Sequence, residues 1–127
     1  MGQQQLLIIV LALMLAGLAV YAGLRMSELY NQSSNMDQLS SNMHALVGYA
    51  ETYAKKPVSQ GGGAESFLGL TLTSGLLKTP SGEITYTVAA KKLTFTATGV
   101  VTGKNAKANV KVYGVYTKGV MTISDLN

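Results

Sequence analysis

Few side chains in this chain could do chemistry, and their spacing assembles no site. Its one histidine, His44, has no cysteine to share a metal with and no paired carboxylates beside it, so a polar surface position is expected. Glu51 and Glu65 are isolated acids without the second carboxylate that an acid and base pair needs. The triplet Gly61-Gly62-Gly63 lacks the Lys-Ser/Thr that lets a glycine-rich loop hold phosphate. With no cysteine, thiolate metal sites, covalent haem and disulfides are excluded. No catalytic residue, metal or cofactor is therefore expected, and the chain does not read as an enzyme. Asn31-Gln32-Ser33 matches an N-glycosylation acceptor, a tripeptide that arises easily in a Ser/Asn-rich stretch. The seven tyrosines, Tyr21, Tyr30, Tyr49 and Tyr53 among them, give no continuous stack and suit packing roles. The net charge of +4 comes from scattered lysines: Lys55, Lys56, Lys78, Lys91, Lys92, Lys104, Lys107, Lys111 and Lys118. None forms a run dense enough for a nucleic-acid arm, so no specific nucleic-acid site is evident.

What the residues do offer is apolar surface. LLIIVLALMLAGLAVYAGL, from Leu6 to Leu24, holds no charge, and a stretch of about 18 or more apolar residues can span a bilayer as a helix. It exceeds the roughly 7–15 residues of a signal-peptide core, lacks a basic region before it, and is expected to be retained. Leucine and alanine favour a helix, and no proline intervenes before Pro57, so one long helix is expected from Gln3 to about Tyr53. Beyond Arg25 it becomes amphipathic. Leu29, Met36, Met43 and Ala50 recur every seven residues, and Leu39, Leu46 and Tyr53 fill the complementary offset. Asn31, Gln32, Ser33, Ser34, Asn35, Asp37, Ser40, Ser41 and Asn42 make the remaining face wet, so the narrow seam must bury against one partner surface. Lys55 and Lys56 suit the negative end of the helix dipole, and Pro57 ends it.

The partner surface follows. A flexible connector containing Gly61–Gly63 leads to a loop that lays Phe67, Leu70 and Leu72 on the core, then to a turn at Pro80-Ser81-Gly82. From there the period becomes two. Ile84, Tyr86 and Val88 alternate with Thr85 and Thr87, and Leu93, Phe95 and Ala97 alternate with Thr94, Thr96 and Thr98. Lys91-Lys92 joins these strands, Gly103–Lys107 turns into a strand at 110–116, and Thr117-Lys118-Gly119 links it to 120–124. The expected fold is α+β: a long N-terminal helix packed on a small antiparallel meander of about four strands. The divisions are 1–25 (apolar helix), 26–56 (amphipathic continuation) and 57–127 (connector and sheet). Tyr113, Tyr116, Lys118 and the Gly103–Lys107 turn are expected to face outward.

An uncharged cap, the N-terminal run MGQQQLLIIVLALMLAGLAVYAG, its amphipathic continuation, a glycine-rich connector and a terminal antiparallel sheet resemble the type IV pilin and pseudopilin superfamily. The resemblance covers the architecture of the whole chain. It implies a prepilin peptidase that removes a short basic leader, with the new first residue N-methylated. Met1 is expected to be that mature residue; a cut after Gly2, making Gln3 first, would leave a leader without a basic residue. Most members of the family have Glu as the fifth mature residue, neutralising a neighbouring subunit's N-terminal amine. Here Gln5 stands at that position, or Leu7 under the alternative cut. An amide supplies a hydrogen bond and no charge, so either Gln3, Gln4 and Gln5 solvate the amine together or the subunit is a specialised one. The family's proline near position 22 is Ala22 here, between Gly17 and Gly23, and helix loosening is expected at those glycines.

The resemblance implies a structural subunit, with the major pilin favoured, of an extracellular filament serving adhesion, motility, DNA uptake or biofilm formation. The subunit would wait in the cytoplasmic membrane until an ATP-driven assembly machine adds it to a homopolymer. Leu6, Leu7, Ile8, Ile9, Val10, Leu11, Leu13, Met14, Leu15, Leu18 and Val20 would then exchange lipid for neighbouring subunits. A minor pilin or secretion pseudopilin is the alternative, ahead of a membrane-anchored binding module that never polymerises.

Overall fold

A computed structural model describes residues 2–104 and 107–126. Helix α1 runs from Gly2 to Lys55, 54 residues, close to the expected span. It stays helical through Gly17 and Gly23, so the loosening expected there is not found in the single chain. A glycine costs a helix only about 1 kcal/mol relative to alanine, and the flanking leucines and alanines are strong helix formers. The chain divides into two units, Met1–Asn31 and Gln32–Asn127.

Within the second unit, α1 supplies one side of a core and a sheet the other. The strands are β1 (Lys78–Thr79), β2 (Gly82–Val88), β3 (Lys92–Thr102), β4 (Asn109–Thr117) and β5 (Val120–Asp125). They lie in the order β1-β2-β3-β4-β5, and each neighbouring pair is antiparallel. The α+β reading and the meander stand, with five strands instead of about four. The additional strand, β1, has two residues folded back across Pro80-Ser81 (Lys78↔Glu83, Thr79↔Gly82), too short to leave an alternating pattern. A four-residue helix, α2 (Ser74–Leu77), also occupies part of the stretch expected to be loop.

Alternation decides the faces. Ile84, Leu93, Phe95, Ala97, Val110, Val112 and Tyr116 point inward and are buried, while Thr85, Thr87 and Lys111 are exposed. Met36, Leu39, Met43, Leu46, Val47 and Ala50 of α1 meet that inner face, with Phe67 and Leu70 buried beside them and Leu72 partly so. Tyr53 is half-buried at the end of the seam and donates its hydroxyl to the Leu68 carbonyl at 3.0 Å. Leu29 corrects the predicted seam: it is 59% exposed, since the buried face begins at Asn35. A strict seven-residue count drifts around a 3.6-residue helix by about 20° per heptad and carries no signal of where the sheet starts.

The connector is more tightly built than its glycines suggest. Gly63 N–H donates to the Tyr53 carbonyl, Ala64 N–H to Lys56 and Glu65 N–H to Ala54, satisfying carbonyls at the end of α1 that would lack helical partners. A Cβ at Gly62 would lie 2.2 Å from the Lys56 carbonyl oxygen, so this close return of the backbone requires glycine.

At the other end of the sheet a buried amide aligns helix and turn. Asn35 is 5% exposed and donates from Nδ2 to the Ser81 carbonyl at 2.8 Å. Ser81 Oγ donates to Gln38 Oε1 at 2.7 Å, and Asn42 Nδ2 donates to Thr79 Oγ1 at 3.3 Å. Asn35, Gln38 and Asn42 thus hold the β1–β2 turn by residues that read as a wet face. Gly99 makes room: a Cβ there would lie 1.9 Å from Asn35 Oδ1. Gly99→Ala is expected to destabilise the unit by about 1–3 kcal/mol. Thermal melts in detergent micelles should show a smaller cost when Asn35→Ala is already present, and equal costs in both backgrounds would contradict the amide's role.

Candidate assembly surface

The residues expected to form a filament core lie on α1 with nothing over them. Among Leu6, Leu7, Ile8, Ile9, Val10, Leu11, Leu13, Met14, Leu15, Leu18 and Val20, exposure runs from 44% at Val10 to 68% at Leu13. The side chains project on every side of the helix, because apolar residues fill all positions of its turns. This is the one helix among the described residues long and apolar enough to cross a membrane. Gln3, Gln4 and Gln5 are exposed in its first turns, and Met1 lies outside the described residues. Arg25 closes the apolar stretch. Its Nε donates to the Tyr21 hydroxyl at 3.3 Å, its guanidinium lies 5.7 Å from the Tyr21 ring centre, and it pairs with Glu28 at 3.2 Å. These partners stand at i−4 and i+3, a spacing that puts their side chains beside Arg25 on one helix face. Asn31 is exposed on α1.

The second unit gathers other residues that looked isolated. Tyr116 was expected to face outward; it is 6% exposed, inside the core, because it alternates in step with Val110 and Val112. Its hydroxyl donates to the Glu51 carboxylate, so Glu51 is not the partnerless acid its spacing implied. The Phe67 ring meets the Tyr116 ring edge-on at 5.9 Å. A cleft of about 260 Å³ opens beside them, lined by Glu51, Ala54, Lys55, Glu65, Phe67 and Tyr116. The two acids therefore share one cleft with Lys55 and the Tyr116 phenol. No group of three His, Cys, Asp or Glu able to hold a metal occurs among the described residues. His44 and Lys118 are exposed and Tyr113 is half-buried. In the Gly103–Lys107 turn, Gly103 is buried and Lys104 exposed, while residues 105–106 lie outside the described residues.

No protein-family model, curated protein or solved structure matches this chain.

The hydrogen bond to Glu51, helped by burial and by the carboxylate's charge, pushes the Tyr116 phenol up from 10.0 to about 12. Ionisation would remove the proton that Glu51 accepts. Folding thus favours the neutral phenol: this contribution to stability is complete below about pH 10 and fades as pH rises towards about 12. An ultraviolet titration of tyrosinate should show one late-ionising group, which Tyr116→Phe abolishes at a cost of about 1 kcal/mol. Unchanged titration in that variant would refute the assignment.

Proposed function

We propose that this chain is a structural subunit of a type IV pilus-like filament, polymerising through its apolar helix. The observation that carries this reading is the uncovered, uncharged stretch Leu6–Leu24 on a helix whose continuation already has a core of its own. At 1.5 Å per residue that stretch measures about 28 Å, close to the roughly 30 Å of a bilayer's hydrocarbon. Arg25 with Tyr21 then sits at headgroup level, where aromatic and cationic side chains are at home. The subunit waits in the cytoplasmic membrane with its sheet-bearing unit outside. While in lipid, exchanging hydrocarbon for other helices changes little, because lipid tails are as apolar as leucine. Once the assembly machinery lifts the helix out, each Å² kept dry by neighbouring copies stabilises the polymer by about 25 cal/mol. Assembly therefore needs no catalytic residue from the subunit.

Gln5 favours a second reading, a minor pilin or secretion pseudopilin. A subunit without the family's carboxylate offers its neighbour's amine no counter-charge, which suits a component present in few copies.

Electron microscopy of sheared surface appendages, with mass determination of the terminal residue, tests the proposal. Filaments composed mainly of this polypeptide, beginning at an N-methylated Met1, are expected for the major subunit. Traces at low stoichiometry indicate the minor one. A chain that remains in the membrane fraction, and works equally well with Leu6–Leu24 replaced by a generic leucine span, refutes polymerisation.

A further inference from the structure

The sheet ends in an open strand. β5 (Val120–Asp125) is last in the order β1-β2-β3-β4-β5, and β4 is the one strand that pairs with it. Register decides which of its peptide groups are already used. Leu126 N–H donates to the Lys111 carbonyl at 2.9 Å, and Val112 stands opposite Asp125. Hydrogen-bonded and non-hydrogen-bonded pairs alternate in an antiparallel ladder, so Val120, Thr122 and Ser124 turn their peptide groups to β4. Met121, Ile123 and Asp125 turn theirs outward, where nothing among the described residues is hydrogen-bonded to them. Sheet edges are ordinarily shielded by lysine, proline or brevity. β1, at the far edge, has two residues and carries Lys78. β5 has six, without lysine or proline, and its single charge is Asp125 at the end. Val120 and Leu126 flank it, 64% and 57% exposed. An even spacing puts both on the same face as Thr122 and Ser124.

We propose that β5 is a self-complementary docking edge, through which two copies of this chain join antiparallel with Ile123 facing Ile123 on a twofold axis. This register sets the outward peptide groups of Met121, Ile123 and Asp125 against those of Asp125, Ile123 and Met121 in the second copy, about six backbone hydrogen bonds. Val120 then meets Leu126, and Thr122 meets Ser124, in the non-hydrogen-bonded pairs where side chains approach closest. A slide by two residues either way parts Val120 from Leu126. Each Asp125 faces Met121, and about 14 Å of strand separates the two carboxylates, beyond the screening length at physiological salt. The far edge of the sheet is stepped: β1 covers only Gly82 and Glu83 of β2 and follows directly on α2. A head-to-tail contact finds no straight six-residue edge there, which leaves the isologous pair. The twofold axis stands normal to the sheet and reverses the α1 segment packed on it. This is therefore not a contact between parallel copies, and it does not rest on the filament reading. Six residues of edge bury less than a standard interface, so association is weak and concentration-dependent.

The chain has no cysteine, so introduced thiols report the pairing. Full-length Thr122→Cys and Ser124→Cys chains in nonionic detergent micelles are mixed and mildly oxidised. A disulfide needs Cα atoms about 4.4–6.8 Å apart, which the register supplies between positions 122 and 124 of opposite copies. Like positions are displaced by a further two residues, about 7 Å along the strand. The mixture should therefore give at least about fivefold more disulfide dimer than either variant alone. Asp125→Pro, added to both chains, removes two outward N–H donors from each pair and should lower the yield at least about fivefold. Its thermal melt should be unchanged, since β4 makes no use of that N–H. The proposal is overturned by equal dimer from each variant alone, which association through the apolar helix or another register would give. It is also overturned by no dimer in the mixture, the result for an edge that takes a different extended partner, or by an undiminished yield in folded Asp125→Pro chains. The pattern from the mixture decides even if Asp125→Pro unfolds, which circular dichroism would reveal.

Discussion

An apolar helix with no polar side to turn towards water constrains everything else about this molecule. From Leu6 to Leu24 every face of α1 presents hydrocarbon, and exposure stays high along the whole stretch. Water is a poor medium for such a surface, and the only remedies are lipid or other apolar helices. The helix is long and apolar enough to cross a membrane, and in the filament we propose, neighbouring copies cover the same surface. In the filament we propose, Gln5 marks the weak point, since hydrocarbon contacts set no register and an amide carries no charge.

The second unit solves its problem by the division of labour between helix and sheet. Neither the α1 seam nor the inner face of the meander could be stable alone; together they bury Leu39, Met43, Leu46, Phe95, Leu93 and Val112. Hydrophobic contact of this kind is tolerant of sliding along the helix. Specificity of alignment comes from polar atoms: Asn35, Gln38 and Asn42 meet the β1–β2 turn, and Asn35 can approach only because residue 99 has no side chain. A shift by one helical turn would leave the buried Nδ2 group of Asn35 without its acceptor, which is costly in a dry interior. At the far end the connector completes the carbonyls of α1, and Tyr116 with Glu51 closes the core.

Much of this was readable in the residues because periodicity is a local property. The α1 seam at Met36, Leu39, Met43, Leu46 and Ala50 and the alternating strands at Ile84, Leu93–Ala97 and Val110–Tyr116 follow from the 3.6 and 2.0 periods alone. Failures came where a residue's partner is distant in sequence. Leu29 fits the seven-residue count yet has no sheet to meet. Tyr116 is expected outward on a filament, yet its alternation with Val112 puts it inside. Asn35 read as wet because the peptide oxygen that receives it belongs to Ser81.

By itself, then, the order of amino acids determined the long helix, its division into an all-apolar and a two-faced half, the meander, and the absence of the usual catalytic spacings. Each is set by neighbours within a few positions, where backbone geometry dictates which side chains share a face. Only the tertiary structure decided which amide is buried and which acid holds the tyrosine. Those outcomes depend on strand register and helix alignment, which bring together residues whose separation along the chain carries no trace of their meeting.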